Sequence, residues 1–166
     1  MKQTALLLLA SGLWAAPVVS VVVGALERES ATAPAGVLAG LNSALVHRMG
    51  GGFVTACCSR FALDGAGTMA NAVHLAPYCD GAEVALESGL PLGVVAGVEY
   101  AETPLRGSHF TLVSDGVVEA ENAQRELFGF DRTREISGKS AQEIAEVAKA
   151  WSQNDDITVV TVRRCS

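Results

Sequence analysis

The chain has 166 residues, of which 49% are hydrophobic and 18% charged, a length suited to one domain and too apolar for disorder. A formal net charge of −6 and the lack of any basic run exclude a nucleic-acid binder. The acidic balance suits either a metal site or an ordinary soluble protein. Cys57, Cys58, Cys79 and Cys165 include no CxxC and are too sparse for a disulfide framework. They read as small buried hydrophobes.

No charge stands between Lys2 and Glu27. Residues 3–29 read as an apolar helix, kinked at Pro17. The run 3–26 is also long enough to span a bilayer, and it has some features of a signal peptide. Pro34 opens a second helix after Thr32 or Ala33. Its apolar positions Val37, Leu38, Leu41, Leu45 and Val46 follow helical spacing, and Gly50, Gly51 and Gly52 end it. "FVTACCSRFAL", "DGAG" and "TMANAV" read as a strand, a turn and a return strand. Short strands are expected at Glu83–Leu86 and Glu99–Leu105. "RGSH" is a turn before the apolar strand "FTLVS". "SAQEIAEVAKAW" carries a Ser140 cap and Glu143 at the capping-box position. "DDITVVTV" closes the chain as a strand. Two helices, about five strands, a helical segment and a last strand make an α+β fold.

"TLVSDGV" ends a strand in Asp-Gly, and "NDDITVV" begins another with Asn-Asp-Asp. If these ends meet, Asp115, Asp155 and Asp156 converge, and such carboxylates need a cation between them. Oxygen ligands select Mg²⁺ or Mn²⁺, and Gly116 permits close backbone approach. The plainer alternative is a turn and a solvated loop. His74 could donate a proton or bind a metal, but without a partner it reads as structural. His47 sits at a helix end and His109 in a turn. No nucleophile elbow or phosphate-binding glycine loop is present.

"ALVHRMGGGFVTACCSRFALDGAGTMANAVHLAPY", "LESGLPLGVV", "HFTLVSDGVVEAENAQRELFGFDRT" and "SQNDDITVVTVRR" resemble, in order and spacing, the SpoIIE-type branch of PPM metal-dependent Ser/Thr protein phosphatases. The resemblance covers nearly the whole chain, so residues 1–166 are expected to be a single domain, partial at its N-terminus. It implies a β-sandwich flanked by helices and a binuclear Mn²⁺ or Mg²⁺ site that activates a water against a phosphoserine or phosphothreonine. Asp115 matches a metal-binding Asp, Asp155 the ligand in the last strand and Asp156 its neighbour, with Gly116 beside the metals. No residue is assigned as catalytic. The resemblance also implies a bacterial signalling role: dephosphorylating a regulatory phosphoprotein such as an anti-sigma-factor antagonist.

The departures from the family pattern are equally specific. The family's early-strand Asp motif and its GDVSGKG-type motif have no counterpart. Met1 falls where the family's first long helix begins, so the sandwich would lack its N-terminal strands. One ion or none is expected to bind. Asn71-Ala72-Val73-His74 stands where the family has Asn-Ala-Gly-His. The alternative is therefore a catalytically inactive pseudophosphatase that binds a partner. In the family the first helix packs under the sandwich, which favours a buried helix and a cytoplasmic protein over a membrane-anchored or exported one.

Overall fold

The computed structural model describes residues 4–11, 20, 24, 33–62, 66–152 and 156–164. They form two compact units, one from Met1–His74 with Leu86–Leu105, the other from Leu75–Ala85 with Arg106–Ser166.

In the first unit, strands β1 (Thr4–Ser11), β2 (Thr55–Ala62), β3 (Gly67–Ala72) and β6 (Thr103–Leu105) make an antiparallel sheet in the order β1-β2-β3-β6. Helix α1 (Pro34–Leu45) lies against β2 and β3. Ala33 is its N-cap and Pro34 occupies the first turn, where a missing N–H costs nothing. Val37, Leu38, Leu41 and Leu45 are fully or almost fully buried, each stabilising by roughly 1.5–3 kcal/mol before entropy. They pack with Val54, Ala56, Cys58, Ala70, Ala72 and Leu92. Asn42 lies on the same buried face. Its amide donates to Val95 O at 2.8 Å, and its Oδ1 accepts the Gly93 N–H at 2.8 Å. The helix thereby holds residues 93–95, and both halves of the buried amide are satisfied.

In the second unit, β4 (Tyr78–Cys79), β5 (Ala82–Glu83), β7 (His109–Val113) and β8 (Val159–Arg163) form an antiparallel sheet in the order β5-β4-β7-β8. Helices α2 (Asp115–Val118), α3 (Gly129–Ile136) and α4 (Ala141–Trp151) complete it. Its core gathers Val113, Val117, Val118, Ala120, Phe128 and Ala148. At the start of α4, Ser140 Oγ accepts the Glu143 N–H, and the Glu143 carboxylate accepts the Ser140 N–H at 2.9 Å. That reciprocal cap is the one the sequence pattern predicts.

Several elements differ from the sequence expectation. Thr4–Ser11 is a strand, not the start of a helix over 3–29. All eight of its residues pair with β2, from Thr4↔Ala62 to Ser11↔Thr55. A continuous apolar run carries neither the helical nor the strand period, so long-range pairing decides it. Ser20 and Gly24 are helical, while Pro17 and its expected kink lie outside the described residues. The strand expected over Glu99–Leu105 shortens to Thr103–Leu105, and that over Glu83–Leu86 becomes Ala82–Glu83. His109 begins β7 instead of lying in a turn. Cys57 and Cys58 are fully buried as expected, and burial pushes the Cys58 thiol up to about 12. Cys79 is only partly buried, and Cys165 lies outside the described residues. Among the described residues, no helix is long and apolar enough to cross a membrane.

Candidate metal-binding corner

The β7–β8 ladder ends at Val113↔Val159 and is continued by a side chain. Ser114 N–H donates to Thr158 O at 2.9 Å. Ser114 Oγ accepts the Thr158 N–H at 2.9 Å and donates to Asp156 O at 3.3 Å. One buried serine therefore ties the end of β7 to the approach of β8. Gly116 follows two residues later, and a Cβ placed there would collide with the Asp156 carbonyl oxygen. Only glycine allows the two backbones this approach. Asp115 opens α2, and its Oδ1 accepts the Gly116 N–H at 3.0 Å. The Asp115 residue is half-buried and Asp156 is exposed.

The structure thus brings Asp115-Gly116 against the backbone of Asp156, two strand ends separated by some 40 residues of helix and loop. Asp155 lies outside the described residues. The donors present are carboxylate and carbonyl oxygens, the chemistry that suits a hard divalent cation. Among the described residues, no group of three or more His, Cys, Asp or Glu side chains is placed to hold a metal ion. The corner therefore fits part of an oxygen-ligand site.

His74 belongs to the first unit, where its surroundings are structural. Asn71 clamps its backbone: Oδ1 accepts the His74 N–H at 3.0 Å, and Nδ2 donates to His74 O at 2.9 Å. The His74 Nδ1 lies 3.2 Å from Thr55 Oγ1. Between them Val73 takes φ +57°, with its N–H bonded to Ser88 Oγ at 2.9 Å. A β-branched residue in the left-handed region is strained, which gives a physical reason for glycine at this place in the family pattern.

A second polar cluster has no counterpart in the sequence reading. Asp80 and Gly81, with φ of +48° and +86°, are the two loop residues between β4 and β5. Positive φ at both positions is what a type I′ hairpin requires, and Asp-Gly is its sequence signature. The Asp80 carboxylate accepts from Ser108 Oγ at 2.8 Å, Ser108 N at 3.1 Å and His109 N at 3.0 Å. The Ser108 hydroxyl, then the two backbone N–H groups, hold its carboxyl below the ordinary range. Cys79 Sγ donates to Arg106 O at 3.0 Å. Burial, then the Asp80 charge, pushes that thiol up, so it is not a reactive thiolate.

Residues 9–165 match the family Stage II sporulation protein E (SpoIIE). No curated protein matches the chain by sequence. Among solved structures, the RsbU and RsbW domains of a Mycobacterium tuberculosis protein superpose with a TM-score of 0.74 at 19% identity, over 99% of this chain and 52% of that one. The chain therefore spans about half the length of that relative. The SiaA PP2C domain of Pseudomonas aeruginosa gives 0.70 at 19% identity, over 95% of this chain and 75% of that one. RsbX in complex with magnesium gives 0.70 at 15% identity, over 96% and 80%. At these identities the likeness speaks for the fold alone, an α+β arrangement with antiparallel sheets of the PP2C-like kind. With the family match running over nearly its whole length, the chain belongs to the SpoIIE family of PPM-type phosphatase domains.

Proposed function

We propose that the chain is a cytoplasmic SpoIIE-type phosphatase module that acts on a Ser/Thr-phosphorylated regulatory protein, such as an anti-sigma-factor antagonist, in one domain spanning residues 1–166. The observation that carries this reading is the corner in which Ser114 ties Asp115-Gly116 to Asp156. Asp115, Asp155 and Asp156 are the residues that would hold Mn²⁺ or Mg²⁺ there, and RsbX, a protein of like fold, is known in complex with magnesium. Bound at such carboxylates, a divalent ion supplies charge neutralisation at phosphate and an acidified water. The chain's own part is positional. The Gly116 N–H orients the Asp115 carboxylate, and Ser114 fixes the backbone that carries Asp156.

A second reading, a pseudophosphatase that binds its phosphoprotein without turning it over, is favoured by one observation. None of the four strands β1, β2, β3 and β6 carries an Asp or Glu. Ligands for a second ion would have to come from elsewhere, and phosphoryl chemistry with paired metals needs both. The two readings separate in one experiment, which follows Mn²⁺ binding and phosphoserine-peptide hydrolysis by the 166-residue chain and by Asp115→Ala. For the 166-residue chain we expect one weakly bound ion, lost in Asp115→Ala, and hydrolysis near background, an outcome that favours the second reading for this chain by itself. Mn²⁺-dependent turnover that Asp115→Ala abolishes would establish the enzyme. Mn²⁺ binding unchanged by Asp115→Ala would remove the corner from both readings.

A further inference from the structure

Leu127 and Phe130 are large apolar side chains at 52% and 56% exposure, in the loop and first helical turn that follow the Asp115 corner. The backbone that presents them is fixed. Leu127 bridges to Glu121, and the Phe128 N–H donates to Ala120 O at 2.8 Å. Trp151 Nε1 donates to Glu126 O at 3.0 Å. Arg132 Nη1 donates to the carbonyls of Leu127 and Phe128 at 3.0 and 3.2 Å, and its guanidinium lies 4.4 Å from the Trp151 ring centroid. Two exposed anchors on a backbone held at this many points need little ordering when something binds.

The stretch 119–135 that carries them is net acidic. Arg134 pairs with Asp131 at 3.1 Å, while Arg132, bonded to two neutral carbonyls and set over Trp151, keeps its charge. Glu119, Glu121, Glu126 and Glu135 are exposed, and none forms an ion pair among the described residues. Arg125, with φ +64°, and Arg132 are the two opposing charges against these four. Exposed apolar side chains in a net acidic stretch are complementary to apolar side chains flanked by Lys and Arg. We propose that the Leu127–Phe130 surface docks a basic amphipathic segment of a partner protein. This assignment stands apart from any metal chemistry at Asp115.

The test uses the full chain and a fluorescently labelled Lys/Leu amphipathic peptide of about 18 residues, with a Glu/Leu peptide of the same pattern as its control. Anisotropy should report binding of the Lys/Leu peptide and about tenfold weaker binding of the Glu/Leu peptide. Phe130→Ser should weaken the Lys/Leu peptide by about tenfold and Leu127→Ser by several-fold, with melting temperatures unchanged because both side chains face solvent. Glu121→Gln and Glu135→Gln should each weaken it by roughly two- to threefold and flatten its salt dependence. Equal binding of both peptides, binding of neither, or binding indifferent to Phe130→Ser would each overturn the proposal. So would self-association of the chain in sedimentation that Phe130→Ser removes, since the occupant would then be a second copy.

Discussion

No carboxylate stands within the strands of the first unit, where Glu102 directly precedes β6, whereas the second carries Glu83 in β5 and places Asp80 and Asp115 just beyond two strand ends. The side chains that clamp loops and helix ends largely follow the same division. The first unit clamps its loops with the neutral amides of Asn42 and Asn71. The second uses carboxylates on backbone N–H groups, at Asp80 and in the Ser140–Glu143 cap. One unit is therefore held chiefly by apolar burial and buried amide bonds, with an exposed carboxylate contact where Glu102 Oε1 accepts the Ala35 N–H at 3.1 Å. The other is held in part by charged acceptors that respond to pH and ions. Volume changes should tell most in the first unit, and charge or backbone-approach changes in the second.

The largest expected effect follows from the first half of that contrast. Leu41→Ala empties a fully enclosed place between α1 and the sheet and should cost about 3 kcal/mol in urea denaturation. A loss under about 1 kcal/mol would mean that the α1 contact is not what holds the unit. In the second unit the comparable lesion adds a single methyl group. Gly116→Ala sets a Cβ against the Asp156 carbonyl, which is backbone and cannot swing aside. We expect a loss of about 2 kcal/mol together with loss of any Mn²⁺ binding. Gly138→Ala is the control, because a Cβ there meets nothing within 4 Å. It should be close to neutral, and equal costs at the two glycines would remove the argument from close approach.

How far the sequence reveals this division depends on the range of the signal. Pro34 with its apolar spacing, the Ser140–Glu143 box and the β2–β3 pair are local patterns, and the structure agrees with them. Strand β1 is set by pairing with residues more than forty positions away, so its leucine run is legible as apolar and not as strand. Strands β4 and β5 are two residues each, too short for any period. Their Asp80-Gly81 turn does carry a readable hairpin signature, the same dipeptide rule applied to residues 64–65. Asn42 could be found as a polar residue at a core position of α1, four residues after Leu38. The Asp115–Gly116 approach to Asp156 follows from treating two Asp-containing strand ends as neighbours. Ser114, which makes that approach possible, has no such signal.

A smaller effect sharpens the contrast by improving the first unit. Val73 holds φ +57°, at a cost of roughly 1–2 kcal/mol for an L-residue. Glycine there removes that strain but adds freedom to the unfolded chain, roughly 0.5–1 kcal/mol. Val73→Gly should therefore stabilise by about 1 kcal/mol or slightly less, seen as a rise in melting temperature. It should leave the acid limb of the stability curve unmoved, because the bonds that hold this turn run through the Asn71 amide, the Ser88 hydroxyl and backbone groups. A destabilised Val73→Gly variant would show that the valine side chain contributes packing that its half-exposed position conceals.

The smallest effect is confined to acid and belongs to the second unit. The Asp80 carboxyl sits below its ordinary value of 3.8, first because the Ser108 hydroxyl donates to it and then because the Ser108 and His109 N–H groups do. A carboxylate favoured in the folded state adds stability above its unfolded value. That stability is lost as pH falls through the folded value. Asp80→Asn keeps one acceptor oxygen and tolerates the left-handed turn, but it turns an N–H₂ toward groups that also donate. At neutral pH the variant should melt slightly below the parent. As pH drops from about 5 toward about 2.5 the two melting curves should converge, because the parent alone gives up a charge at this position. Glu143 is lowered in the same way, by Ser140 above all, and contributes an acid slope that both proteins share and that cancels in their difference. The exposed position of Asp80 keeps the effect modest and makes it shrink with added salt. Parallel curves across that range would show that Ser108 and His109 hold the turn as well with a neutral partner, and the charge at Asp80 would then have no part in holding the second unit together.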